Sequence, residues 1–295
     1  MTLASFADRE AIGALPNPLG LLGIEFIEYA TSRPQAFGQV LERMGFVPVA
    51  RHRSREVQLY RQGDMHIIVN AHQGGLNGQP APSETPVIAA VAFRVRDAAS
   101  AYRRVLALGA WAVPTQVEVM ELNIPAIHGV GSSRIYFVDR HREFSIYDVD
   151  FVPIAGADPH PPAQQGLHLF GVVQYIGLDR SDDWTTFYGE LFGFAELPRE
   201  QNFGVLTSGR ILASPCGQCH WQLIEPDPDA ATFEHDELLQ RVAFGCGDVL
   251  ATAATLRTRG VEFVESAHGV RTDARGALTQ PMLGGVVFEL VHDAR

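Results

Sequence analysis

The chain has 295 residues and a formal charge of −11 at neutral pH. That balance excludes a protein that neutralises phosphates with basic clusters, so no nucleic-acid partner is expected. No apolar run reaches the ~20 residues of a membrane span, and the complete lack of lysine removes a phosphate-loop lysine and a Schiff-base lysine from the possible chemistries.

The first ten residues lack a basic stretch followed by an apolar one, so no secretory signal is expected. Three cysteines, Cys216, Cys219 and Cys246, make no disulfide framework. Together these features point to a cytoplasmic, reducing home. The basic knot Arg51-His52-Arg53-Ser54-Arg55 reads as a solvated strand or turn.

Taken in order, residues 1–19 read as a lead-in. Residues 23–27 predict a strand, and residues 37–44 a helix ended by Gly45. Runs at 57–60 and 66–69 predict two further strands. Val91-Ala92-Phe93 is a strand before Asp97, which caps a helix to Leu108 that Gly109 stops. Residues 134–138 and 145–149 again read as strands. Residues 153–166, with Pro159-His160-Pro161-Pro162, have the composition of a linker. The pattern then repeats. Gly171 opens a strand, and Gly193 follows it by 22 residues, as Gly45 follows Gly23. Val242-Ala243-Phe244 precedes the cap Asp248 and a helix to Arg259, and Gly260 follows Val242 by 18 residues, as Gly109 follows Val91. Strand-like runs at 204–207, 221–224 and 285–291 complete the second half. Strand, helix and several strands thus occur four times, which predicts an α+β fold with domains at 20–152 and 167–295.

Two charges fall in runs that should be buried: Arg241 before Val242-Ala243-Phe244, and Glu289 within Val286-Val287-Phe288-Glu289-Leu290-Val291. Buried charges are costly unless paired or bound to an ion. The two residues are therefore partners, ligand contacts or the remains of a metal site.

Four βαβββ units in two halves resemble the vicinal oxygen chelate superfamily. Within it, the stretch from Asn17 to Glu28 is similar to bacterial 4-hydroxyphenylpyruvate dioxygenases. So are His52-Arg53-Ser54 with Leu59-Tyr60-Arg61-Gln62-Gly63, the run from Met120 to Ile127, and the run from Ser145 to Phe151. The resemblance implies two vicinal-oxygen-chelate domains, each a pair of βαβββ modules forming a curved mixed sheet. The first would be structural, and the second would carry the active-site cup. It also implies one Fe(II) held by two histidines and a glutamate. Carried over, those positions are Val172, Arg241 and Glu289, so Glu289 alone could bind a metal. Valine has no donor atom and arginine presents only N–H donors. His168, four residues before Val172, is about 13 Å away along a strand. The family continues past its last strand into a helix that closes the active site, whereas this sequence stops at Arg295. That difference implies a more open pocket or one closed by a partner chain.

The leading expectation is a divergent member without the iron centre and with no cofactor. Arg241 would supply the positive charge toward a small aromatic or 2-oxo acid, and Glu289 would orient it or act as acid/base in lyase-, isomerase- or hydrolase-type chemistry. Gln240, Glu225, Tyr175 and Ser214 are the substrate-binding candidates. In a regular strand Gln240 points away from Arg241. Two alternatives stay open: a working Fe(II) dioxygenase with other ligands, and a non-catalytic binding or resistance protein. A homodimer is a further expectation. Cys216-Gly217-Gln218-Cys219-His220 matches a haem-attachment pattern, but the absence of an export signal argues against it. Cys216, Cys219, His220 and Cys246 have the right types for zinc, although a turn with ordinary thiols is the plainer reading.

Overall fold

A computed structural model describes residues 17–72, 83–114, 122–142, 144–198, 203–205, 209–226, 236–266 and 270–293. Most of the lead-in, along with Met120, Glu121, Leu206 and Thr207, lies outside the described residues.

The first half begins with strand β1 (Leu21–Ala30) and helix α1 (Pro34–Arg43), then β2 (Val47–His52), β3 (Val57–Gln62) and β4 (Met65–Asn70). Its second unit is β5 (Val87–Val95), helix α2 (Ala98–Ala107), β6 (Ala126–His128) and β7 (Arg134–Val138), followed by helix α3 (Ile146–Asp150) and β8 (Phe151–Pro153). These strands form one mixed sheet in the order β6-β7-β5-β1-β4-β3-β2-β8.

The second half opens with β9 (His168–Tyr175), α4 (Ser181–Phe192), β10 (Ala195–Glu196), β11 (Arg210–Ala213) and β12 (His220–Ile224). It ends with β13 (Leu238–Cys246), α5 (Val249–Thr258), β14 (Gly276–Leu278) and β15 (Phe288–His292). The second sheet runs β10-β11-β12-β9-β13-β15-β14. At each centre two long strands pair antiparallel, β1 with β5 and β9 with β13, and each has a parallel neighbour on its other side. The predicted α+β architecture of two vicinal-oxygen-chelate domains is present.

Local signals placed the longer helices well. Asp97 accepts from Ser100 N at 2.7 Å and Asp248 from Ala251 N at 2.9 Å, so both predicted caps satisfy an exposed first-turn amide. Gly109 (φ +95°) and Gly260 (φ +82°) follow those helices in the left-handed conformation that stops a helix.

Three strand expectations are corrected. Residues 146–150 form a helix, because Ser145 and Asp148 cap each other reciprocally: the Ser145 hydroxyl accepts from Asp148 N while the Asp148 carboxylate accepts from Ser145 N at 2.8 Å. That capping box overrides the β-preference of Ile146, Tyr147 and Val149. Gly204 and Val205 belong to no strand, and β15 starts only at Phe288 after a turn.

One face of each sheet packs against the four longer helices, and the two faces share a single apolar core. Phe93 lies 5.4 Å from Phe192 and 6.1 Å from Trp221 between ring centroids, and Phe46 lies 5.8 Å from Phe244. Each fully buried large side chain contributes about 1.5–3 kcal/mol, so this shared core joins the halves. The opposite face of each sheet forms a cup with its own smaller apolar cluster. Among the described residues no helix is long and apolar enough to cross a membrane.

Candidate functional site

The C-terminal cup is built on β13, β9 and β15. Arg241 and Ala243 share one face of β13, while Val242 and Phe244 turn into the shared core. The register between β13 and β9 slips between Leu239 and Arg241, leaving Gln240 as the extra residue of a bulge. A bulge re-aims side chains, and here it brings Gln240 to Arg241 rather than to the opposite face. Arg241 Nη1 donates to Gln240 Oε1 at 2.9 Å.

Arg241 Nε donates to Glu289 Oε2 at 2.7 Å, with the two side chains only 1% and 2% exposed. Glu289 Oε1 accepts from Val205 N at 2.9 Å. That close approach of backbone requires glycine beside it: a Cβ on Gly204 (φ +79°) would stand 2.5 Å from Glu289 Oε1. Both carboxylate oxygens are therefore engaged. Arg241 Nη2 is different, being a buried donor with no hydrogen-bond partner among the described residues.

The rest of the cup is aromatic. Phe170 stacks on His220 at 4.4 Å and 19°, and Phe203 meets Phe170 edge-on at 4.6 Å and His220 at 4.8 Å. These rings leave a cavity of only about 10 Å³ beside Glu289, barely the space of one water.

Val172 does not face this cup. It pairs with Val242 and Trp221, and its side chain lies with theirs in the shared core. The register row that runs through Ala243 to Glu289 passes through Gly171 instead. A second slip, between Ala243 and Phe244, explains the difference: Phe170 is the extra residue there, and it shifts the parity of the strand. The β9 residue paired with Arg241 is Val173, which lines the cavity with Glu289, so the three positions around the ion pair are Val173, Arg241 and Glu289.

Those residues do not fit Fe(II). Val173 has no donor atom, Arg241 carries protons on every guanidinium nitrogen, and Glu289 is held by an arginine and a backbone amide. Among the described residues no group of three His, Cys, Asp or Glu side chains is placed to hold a metal ion. Cys216, Cys219, His220 and Cys246 form no such group either. Cys246 sits instead at the end of β13, where burial raises its pKa above the usual thiol value and the Thr252 hydroxyl only partly offsets this.

The other candidates are dispersed. Glu225 accepts from Ser181 N at 2.8 Å at the N-terminus of α4. Partial burial opposes its ionisation, but the Ser181 hydrogen bonds outweigh it and hold the carboxyl below its ordinary value. Tyr175 pairs with Leu238 and Ile224 at the end of β9. Ser214 lies in the turn between β11 and β12, where its hydroxyl accepts from Cys219 N at 3.1 Å.

Sequence reasoning missed Phe170, Phe203 and His220 as the lining of the cup. His220 was legible only as part of a cysteine motif. It also passed over a second buried pair in the N-terminal cup, where Arg94 Nε donates to Glu25 Oε2 at 2.6 Å and His66 Nδ1 lies 3.5 Å from the other oxygen. Glu25 stands in an apolar run, so the buried-charge argument applied to Glu289 would have found it.

Residues 15–152 match the family model described as hydroxyphenylpyruvate dioxygenase, N-terminal, and residues 166–290 match the glyoxalase/bleomycin resistance protein/dioxygenase superfamily. A 4-hydroxyphenylpyruvate dioxygenase of a Pseudomonas species is 36% identical over 84% of this chain and 72% of its own length. A 3-dehydroshikimate dehydratase of Pseudomonas aeruginosa is 33% identical over 85% of this chain but only 41% of its own length. A xylose isomerase-like TIM barrel/4-hydroxyphenylpyruvate dioxygenase fusion protein superposes with a TM-score of 0.71 at 24% identity, over 94% of this chain and 50% of the fusion. That last likeness shows the fold alone. The identity to the dioxygenase across most of both chains shows that this chain belongs to the 4-hydroxyphenylpyruvate dioxygenase family of the vicinal oxygen chelate superfamily.

Proposed function

We propose that the chain is an iron-free member of its family whose C-terminal cup binds or transforms a small aromatic or 2-oxo acid, with Arg241 in place of the metal charge. The observation that carries this reading is the guanidinium. Two of its nitrogens bind Glu289 and Gln240, and Nη2 is a buried donor without a partner among the described residues. A ligand carboxylate oxygen at Nη2 completes the group with a charge-assisted hydrogen bond. The cavity of about 10 Å³ is too small for such an acid, so the ligand ring takes the place of the Phe203 ring. Glu289 orients the guanidinium and is the nearest carboxylate for moving a proton.

Bound iron is measured in the purified protein before and after incubation with Fe(II), and 4-hydroxyphenylpyruvate is titrated by calorimetry. We expect far less than one equivalent of iron. We expect binding weakened about tenfold or more in Arg241→Met, a loss of roughly 1.4 kcal/mol, and strengthened in Phe203→Ala. One equivalent of iron held through Glu289, or oxygen uptake with this acid and Fe(II), overturns the proposal in favour of a working dioxygenase. The closed cup favours a second reading, a non-catalytic binding or resistance protein. Tight binding with no turnover of the bound acid supports that reading over an enzyme.

A further inference from the structure

The turn between β11 and β12 carries chemistry that the cup does not use. It is closed at its base by Ser214 N donating to Cys219 O at 2.9 Å and braced inside by Gly217 N donating to Ser214 O at 2.9 Å. The Ser214 hydroxyl accepts from Cys219 N and lies 3.3 Å from Cys216 Sγ, so one side chain ties both cysteines to the same turn. Cys219 is buried and donates its S–H to Cys216, while Cys216 is partly exposed. Among the described residues, no atom outside Gly217 and its two chain neighbours lies within 4 Å of where a side chain on Gly217 would project, which leaves space beside Cys216. A partly exposed sulfur hydrogen-bonded to a buried second sulfur, three residues apart in a hydrogen-bonded turn, is the arrangement for attack followed by resolution.

We propose that Cys216 and Cys219 form a redox-active dithiol that exchanges with small-molecule disulfides of the glutathione type. The Cys216 thiolate attacks one sulfur of the disulfide. The S–S bond breaks, a mixed disulfide forms, and the first thiolate leaves to take up a proton. Cys219 then loses its proton and attacks Cys216 Sγ, displacing the second thiolate, which is protonated in turn. The two cysteines lose two electrons and two protons, and the small disulfide becomes two thiols. The surroundings favour the attacking form. Hydrogen bonds from Cys219, the Ser214 hydroxyl and the Gln218 backbone amide lower the Cys216 thiol to about 6, against the opposing effect of burial.

The folded full chain is incubated with excess glutathione disulfide, and its thiols are counted, with intact mass as a second readout. The wild type is expected to lose two of its three thiols and two hydrogens in mass. Cys219→Ser is expected to stop at a glutathione adduct on Cys216, and Cys216→Ser to keep both remaining thiols. The pH midpoint of alkylation at Cys216 should lie near 6 and rise in Ser214→Ala toward the ordinary thiol value of about 8.5. Three thiols persisting in the folded wild type, or oxidation only after unfolding in urea, overturns the proposal. A wild-type glutathione adduct that never resolves also overturns it.

Discussion

The two cups sit in the same register 151 residues apart and place their buried charges on different strands. Ala92 in β5 pairs with Phe26 and Tyr136, as Ala243 in β13 pairs with Gly171 and Glu289. Ala90 stands where Arg241 stands in the second half. In the N-terminal cup Phe26 and Tyr136 flank Ala92 with their rings 5.9 Å apart, Ala90 lies between the buried Glu28 and Arg134, and α3 adds Ile146 and Tyr147. Its charges stand on other strands than in the second half: Glu25 with Arg94 and His66, and Glu28 with Asn70 at 2.8 Å, with Arg134 on the far side of Ala90. The C-terminal cup keeps its charge at the centre. The same scaffold accepts buried charges on β1 and β7 around a small alanine, or a direct ion pair between β13 and β15.

The largest effect should come from splitting the central pair. Arg241→Met or Glu289→Leu alone leaves an uncompensated buried charge and should cost about 3–5 kcal/mol. The double variant should recover most of that loss, because replacing both partners leaves no unpaired buried charge. Urea unfolding of the four proteins measures the cycle. A double variant no better than the singles would show that the C-terminal cup needs the charges themselves, not only their balance.

A smaller loss is expected at the side of the N-terminal cup. Arg94 is partly exposed and can turn to water, so Arg94→Met should cost about 1–3 kcal/mol. This pair also gives a pH signature. Burial opposes ionisation of Glu25, but His66 and Arg94 outweigh it and hold its carboxyl below the ordinary 4.5. Its stabilisation is full above pH 4.5 and fades as pH falls through the lower folded-state value. Glu28 shows the reverse. Burial raises its pKa despite the Asn70 hydrogen bond, so its contribution is full below pH 4.5 and fades as pH rises through the raised value. Urea midpoints followed against pH should lose the acid-side decline in Glu25→Gln and the higher-pH decline in Glu28→Gln. Unchanged profiles would remove both groups from the comparison.

The smallest effect belongs to Gln240. Gln240→Ala removes one hydrogen bond to Arg241 and should cost about 0.5–1.5 kcal/mol. A loss below that range would mean that solvent replaces the amide at Nη1.

Much of the fold was legible in the chain. The equal spacings from Val91 to Gly109 and from Val242 to Gly260, with an aspartate cap and a glycine stop in each, located two helices and the duplication together. The site was half legible. Arg241 and Glu289 stood out as charges in apolar runs, and they are partners. Their neighbours did not stand out, because two bulges in the pairing of β9 with β13 changed which side chains face the cup. Phe170 and Gln240 entered the cup and Val172 left it.

The sequence by itself determined the order of elements, the repeat, the helix ends and the identity of the two buried charges. Caps, stops and hydrophobic periods act over a few residues and need no knowledge of distant neighbours. Only the tertiary structure decided the parity of β9, the alignment of Gly171 with Glu289 and the closure of the cup by Phe170, Phe203 and His220. A one-residue slip between paired strands reverses every side chain beyond it, and such a slip is set by contacts between strands that are far apart in the chain.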